Sequence, residues 1–158
     1  MTEEWERYRR GQAEKWLKHI RHLGSRVETM RAEIDAEREA ASGLKAIQYD
    51  GMPKAATSTG DALPNAVIRI QDRIAAFVEE MARYTDERGR AHDALSGMPD
   101  PLEHRALTYY YLLGMSWEEC CVKMHYSYDG MMSLRKRALC SAYDFMPPEW
   151  RDPMERAI

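Results

Sequence analysis

The chain has 158 residues, a length that suits one domain or a small domain with an extension. Charged residues make up 31% of it and the mean hydropathy is -0.65, values that favour long solvated helices or a coiled coil over a single compact globule. The net charge of -3 excludes a uniformly basic nucleic-acid binder, so any surface for nucleic acid must be local.

The cysteine content and the absence of targeting signals predict a reduced, cytoplasmic protein. The three cysteines are an odd number, two of them are adjacent, and no signal peptide precedes them. No apolar run is long enough to span a bilayer, so we expect no membrane insertion. Cys120, Cys121 and His125 match no zinc spacing, because adjacent cysteines on a helix point about 100° apart. We therefore predict no metal site and no cofactor.

Catalytic motifs are missing as well. The chain has no glycine-rich phosphate loop, no paired carboxylates in a recognisable setting and no nucleophile with an evident base. The sequence therefore does not predict an enzyme.

Two long apolar repeats occupy residues 1–97. The first runs from Ala13 to Leu44 in alternating steps of three and four residues, interrupted only by Glu37. The second runs from Leu63 to Leu95 and has Arg88 as its one charged member. Each repeat predicts a long amphipathic helix, and the Gly-rich and Pro-containing stretch 45–61 predicts an extended loop between them.

The arrangement of these two helices stays open. One loop between two long helices most simply gives an antiparallel hairpin with a coiled-coil seam, whereas pairing between two chains would give a homodimer, for example a four-helix bundle. A basic cluster over residues 7–26, opposed only by Glu14, either pairs with the acidic stretch 28–39 or touches DNA phosphates, and we favour the first interpretation.

A third unit is predicted over 100–145, built from three short helices. Pro101 suits the first position of one helix, whose apolar face would hold Leu102, Ala106, Tyr109, Tyr110 and Leu113. Gly114 ends that helix. Ser116 and Glu119 form a capping box for the second helix, and Ser127 caps the third, about 127–143. Residues 146–158 are predicted to be a tail that packs through Trp150.

The third helix has two distinct sides. Its inward face would hold Met131, Leu134, Ala138 and Ala142. The opposite side carries Asp129, Met132, Ser133, Lys136 and Cys140, with Arg135 and Arg137 on its flanks. A short helix, a tight turn and a longer helix with an outward basic end are typical of a helix-turn-helix, whose second helix enters the major groove of double-stranded DNA.

Three segments carry a resemblance to a known family: Leu107-Thr-Tyr-Tyr-Tyr-Leu-Leu-Gly-Met-Ser-Trp-Glu-Glu119, Met124-His-Tyr-Ser127 and Lys136-Arg-Ala-Leu139. They resemble region four of sigma-70-type factors, and most of all the small phage and prophage sigma-region-four-like proteins related to late-gene transcription regulators. The loop segments Leu44-Lys-Ala-Ile-Gln-Tyr-Asp50 and Thr57-Ser-Thr-Gly-Asp-Ala-Leu63 also resemble theirs, so the likeness covers about residues 44–142. It implies an all-α protein that binds DNA, with RNA polymerase as a possible partner.

The residues expected at the DNA lie on the third helix. This set is Ser127, Tyr128, Asp129, Met132, Ser133, Arg135, Lys136 and Arg137. The sequence departs from the family at the start of this helix, where basic or amide residues are usual and this chain has Asp129. The Asp129 carboxylate repels phosphate, although it can accept a hydrogen bond from cytosine N4. Residues 102–143 hold five Lys or Arg against four Asp or Glu, a charge of +1. Tight DNA binding would therefore need a dimer or a partner protein.

Two alternatives remain at this point. Small terminase subunits also join a helix-turn-helix to helical oligomerisation elements, so a phage packaging or assembly adaptor fits the same pattern. A protein-interaction module that has lost DNA binding fits Asp129 and the acidic net charge.

Overall fold

The protein is all-α over the residues that the structure describes. A computed structural model describes residues 2–49 and 61–152, and the side chains of all of these except 46–49. In chain order the helices are α1 (Glu3–Tyr49), α2 (Ala62–Leu95), α3 (Pro101–Leu107), a π-helical turn (Thr108–Leu112), α4 (Trp117–Met124) and α5 (Tyr128–Ala142). Two 3₁₀ turns follow, Tyr143–Phe145 and Pro148–Trp150. The predicted fold class is confirmed.

The predicted loop 45–61 is shorter than expected at its first end. Helix α1 continues through residues 45–49 and ends at Tyr49, and α2 begins at Ala62. Residues 50–60 of this prediction lie outside the described residues.

Contacts divide the chain into two compact units. The boundaries between them differ from the one predicted near residue 97. One unit, here called the base, joins the residues up to Ser25 to those from Tyr84 onward, and the other, here called the arm, runs from Arg26 to Arg83. Helices α1 and α2 therefore each contribute to both units. The boundary differs because the start of α1 and the end of α2 share a core with the C-terminal helices.

The arm is an antiparallel hairpin within one chain. Its helices are linked by the ion pairs Arg26–Glu80, Glu33–Arg73 and Glu37–Arg69, at 3.8, 3.2 and 3.8 Å, and in each of these pairs the two residue numbers add up to 106. Such a constant total is the signature of two antiparallel helices in register. Arg73 also reaches Glu37, one turn away from Glu33, at 3.4 Å. The acidic stretch 28–39 thus pairs with arginines of α2, and the interpretation that it pairs with the basic cluster 7–26 was wrong.

The core of the base collects side chains from every helix of that unit. Trp16, Leu17 and Ile20 of α1 pack with Leu95 of α2 and with the buried groups of the C-terminal helices, among them Leu107, Tyr111, Leu112, Leu139 and Ala142. Leu17 is completely buried although it lies outside the heptad repeat, because this part of α1 has neighbours on two sides. Trp150 of the tail packs on the same core, as predicted.

The apolar face predicted for residues 102–113 is wrong at its two ends, at Leu102, which is 39% exposed, and at Leu113. Leu113 is 55% exposed, whereas Tyr111 and Leu112 are buried. The cause at Leu113 is the π-helical turn, in which the Leu113 N–H donates to the Thr108 carbonyl five residues back, at 2.9 Å. Each π turn holds more residues than an α turn, so side chains beyond it shift around the axis.

Candidate nucleic-acid interface

Two serine caps and a three-residue turn position α5. Ser116 accepts a hydrogen bond from the Glu119 N–H at 3.1 Å, and Ser127 accepts one from the Gly130 N–H at 3.1 Å. Between the two helices His125 takes a left-handed conformation with φ 58°, and its N–H bonds back to the end of α4. These local bonds satisfy one free N–H at the start of each helix and close the end of α4, so they define where α4 stops and α5 begins.

A small second core holds α3, α4 and α5 together. It consists of Ala106, Cys120, Met124, Met131 and Leu134. The inward face predicted for α5 is confirmed, since Met131, Leu134, Ala138 and Ala142 are all completely buried. Helix α5 is therefore fixed along one side, which leaves the opposite side as a rigid surface.

The outer side of α5 is open to solvent. Ser127, Tyr128, Asp129, Ser133, Lys136 and Arg137 are exposed, and Met132 is half-buried. Tyr128 exposes 56% of its surface. Neither Lys136 nor Arg137 has an ion-pair partner among residues 2–49 and 61–152. Seven of the eight residues expected at the DNA therefore share one accessible face or its border.

Arg135 does not belong to that face. Its guanidinium forms an ion pair with Glu14 of α1 and lies 5.7 Å from the centre of the Trp117 ring. The side chain is 27% exposed. Because its charge is already engaged inside the base, we remove Arg135 from the set of phosphate contacts and assign it to the positioning of α5.

Arg135 is one end of a stack of alternating cationic and aromatic groups. Trp117 lies parallel to Tyr110, with ring centres 4.0 Å apart, and Arg21 of α1 lies 3.8 Å from the centre of the Tyr110 ring. Arg21 also donates to the carbonyls of Tyr110 and Met115, the residues at and just after the π turn. Since Glu14 and Arg21 both lie on α1, the stack ties that helix to the C-terminal helices at two points.

A second arginine of the basic cluster in α1, Arg9, also links that helix to the C-terminal helices. Arg9 donates to the Cys140 carbonyl at 2.9 Å and pairs with Asp144 at 2.7 Å, at the end of α5. Lys18 lies 3.7 Å from Glu14. Arg10 and Lys15 carry no ion pair within the described part of the chain. Tyr109 and Tyr110, expected on the apolar face of the first short helix, pack as predicted, Tyr109 against the second core and Tyr110 in the stack.

Two buried acids in this region give the stability a dependence on alkaline pH. Burial raises the pKa of Tyr111 from 10.0 to about 12 and that of the Cys120 thiol from 9.0 to about 11. The unfolded chain loses these protons at a lower pH than the folded chain does. Between about pH 9 and about pH 12 the folded chain therefore binds more protons, and the free energy of unfolding falls as the pH rises through that window. Urea unfolding at about pH 8 and about pH 10.5 measures the effect. Tyr111→Phe should reduce the slope of the free energy of unfolding against pH above about pH 10. A wild-type free energy of unfolding that is the same at both pH values would contradict the prediction.

No known protein family, curated protein or solved structure matches the chain. Within the described residues, His, Cys, Asp and Glu form no group of three that could hold a metal ion. None of the helices in residues 2–49 and 61–152 combines the length and apolar character that a bilayer crossing needs.

Proposed function

We propose that the chain is a sequence-specific DNA-binding transcription regulator of phage or prophage origin, similar to sigma region four. In this proposal α4, the turn and α5 act as a helix-turn-helix in the cytoplasm. Helix α5 enters the major groove, where Ser127, Tyr128, Asp129, Met132 and Ser133 meet base edges. Lys136 and Arg137 lie on phosphates.

One observation carries the proposal. Helix α5 is buried along one side from Met131 to Ala142, while on its opposite side Tyr128, Asp129 and Ser133 are exposed and Met132 is half-buried. A rigid helix presented in this way is the arrangement by which helix-turn-helix proteins read DNA. The half-exposed Met132 and the exposed Tyr128 supply apolar surface that suits the thymine methyl group.

The charge available to DNA from one copy is small. With Arg135 engaged by Glu14, only Lys136 and Arg137 remain as basic groups on the outer side of α5. Each phosphate contact contributes through release of counterions, so two contacts give weak binding. The proposal therefore includes a homodimer, or RNA polymerase as a partner that adds further contacts.

A second candidate is a protein-interaction module that has the helix-turn-helix fold but does not bind DNA. The exposed Asp129 in the first turn of α5 and the internal use of Arg135 favour it. In this role the same face of α5 would contact a partner protein instead of DNA.

The test is a titration of the full chain against a duplex from its own upstream region, followed by fluorescence anisotropy. If Lys136 and Arg137 touch phosphates, the affinity should fall with salt with a log–log slope of about -2 per chain between about 50 and 200 mM salt. A scrambled duplex of equal length should bind more weakly. Absence of binding at the lowest salt would reject DNA binding. If the same protein then retains RNA polymerase in a pull-down, that result supports the second candidate.

A further inference from the structure

Helix α2 has a much wider uncharged face in the arm than its contact with α1 requires. Over residues 62–82, at about 100° per residue, all charged side chains fall on one half of the helix circumference and none on the other. The uncharged half is centred on Val67, Ile70, Ile74, Val78 and Met81. A seam with a single partner helix needs only the narrower stripe of a coiled coil.

Part of this face is open to solvent. Val67, Ile68 and Val78 expose 44%, 54% and 59% of their surface, while Ala66, on the side toward α1, is 2% exposed. Leaving several large apolar side chains together in water is unfavourable, and exposed apolar patches mark interaction sites. The arm therefore has an unpartnered face along α2.

The two edges of the face carry opposite charge. On one edge lie Arg31 and Arg38 of α1, seven residues apart, and Arg31 reaches over the ring of Phe77, 5.8 Å from its centre. On the other edge lie Asp72 and Glu79 of α2, also seven residues apart. All four are exposed.

None of these four charges takes part in an ion pair within the described part of the hairpin, although Arg31 contacts the Phe77 ring of its own arm. The ion pairs that join α1 to α2 in the arm involve Arg26, Glu33, Glu37 and their α2 partners, on the side of the hairpin away from Phe77. None of Arg38, Asp72 and Glu79 has an ion-pair partner within the described residues. They are available to a second molecule.

We infer that the occupant of this face is a second copy of the chain, bound arm to arm with the arms parallel. A two-fold axis along the helices places the basic edge of each arm opposite the acidic edge of the other. A two-fold axis perpendicular to the helices would instead place the basic edges of the two arms against each other. The chain is thus complementary to itself in one orientation only, and the four α1 and α2 helices would form a bundle.

The register of the hairpin agrees with this orientation. Because paired residues in the arm have numbers that add up to 106, Arg31 lies at the level of Ala75. That level falls between Asp72 and Glu79, so in a parallel dimer Arg31 reaches either acidic side chain of the partner. Val67, Ile74 and Val78 then lie against their own counterparts. The inference uses the arm alone and does not rest on DNA binding.

Sedimentation velocity of the full chain without DNA tests the inference. The wild type should sediment as a dimer of the 18.4 kDa chain. Val78→Glu should raise the dissociation constant at least about 100-fold, because each dimer would bury two unpaired carboxylates. Ala76→Glu is the matched control, since Ala76 is an exposed alanine on the charged half of the same helix, and it should leave the dimer intact. Circular dichroism checks that both variants stay helical.

Two further variants test the orientation. Reversing the acidic edge (Asp72→Lys with Glu79→Lys) should weaken the dimer, and adding Arg31→Glu with Arg38→Glu should restore it. Val67→Cys and Val78→Cys, made separately, should each form a disulfide between two copies under oxidation, beyond any seen with the wild-type cysteines, since only parallel arms bring both positions within disulfide distance of their own counterparts. A monomeric wild type, a dimer indifferent to Val78→Glu, or reversal without rescue would overturn the inference. None of these outcomes depends on whether the chain binds DNA.

Discussion

Replacing Lys136 and Arg137 together with Glu should reduce DNA affinity at least about 100-fold at moderate salt, because two phosphate contacts become two repulsions. The loss should be similar for specific and scrambled duplexes, since phosphate contacts carry no sequence information. The slope of affinity against salt should fall by about one for each contact removed. Anisotropy titrations at several salt concentrations give both quantities.

The matched control is a charge reversal elsewhere in the same unit. Arg105 of α3 is exposed, and Arg105→Glu changes the charge in the same sense without touching α5. We expect its effect on affinity to stay within about threefold, as long-range fields are screened beyond about 10 Å at 0.1 M salt. Both side chains of the double variant are exposed, so its thermal unfolding should match that of the wild type. Equal losses of affinity in the two proteins would count against a specific role for α5.

The sequence predicted best the features that depend on nearby residues. Ser116 and Ser127 start their helices as expected, because a cap is decided within one helical turn. The inward face of α5 follows from helical periodicity in the same way. The long repeats likewise predicted both halves of the hairpin, since a heptad seam needs only one neighbouring helix to be satisfied.

Contacts between distant residues were not predictable in this way. Arg135 looks like a phosphate contact until Glu14, 121 positions earlier, is found beside it. Nothing in the local pattern around residues 108–112 signals a π turn, and that turn rotates Leu113 out of the core. Similarly, the uncovered side of α2 emerges only when the arm is seen to contain two helices, because α1 leaves Val67 and Val78 exposed.

The positioning of α5 should depend on the stack around Trp117. This ring lies between Tyr110 and Arg135 and meets the edge of Tyr111 at 6.2 Å. Removing it also leaves the Glu14–Arg135 pair without its apolar cover. Trp→Ala changes in cores cost about 3–5 kcal/mol, and because Trp117 is only partly buried we expect Trp117→Ala to lower the free energy of unfolding by about 3 kcal/mol.

The Trp117→Phe variant separates the contribution of ring stacking from that of side-chain volume. A phenyl ring can still stack on Tyr110 and accept the Arg135 cation, so its cost should be about 1 kcal/mol. Urea unfolding followed by far-ultraviolet circular dichroism measures both variants. Glu14→Gln in the Trp117→Ala background should add less than it does alone, since the two changes act on one guanidinium and contacting residues are not additive. Equal effects of Glu14→Gln in the two backgrounds would show that Arg135 is held independently of the ring, and α5 would then be fixed by its buried face alone.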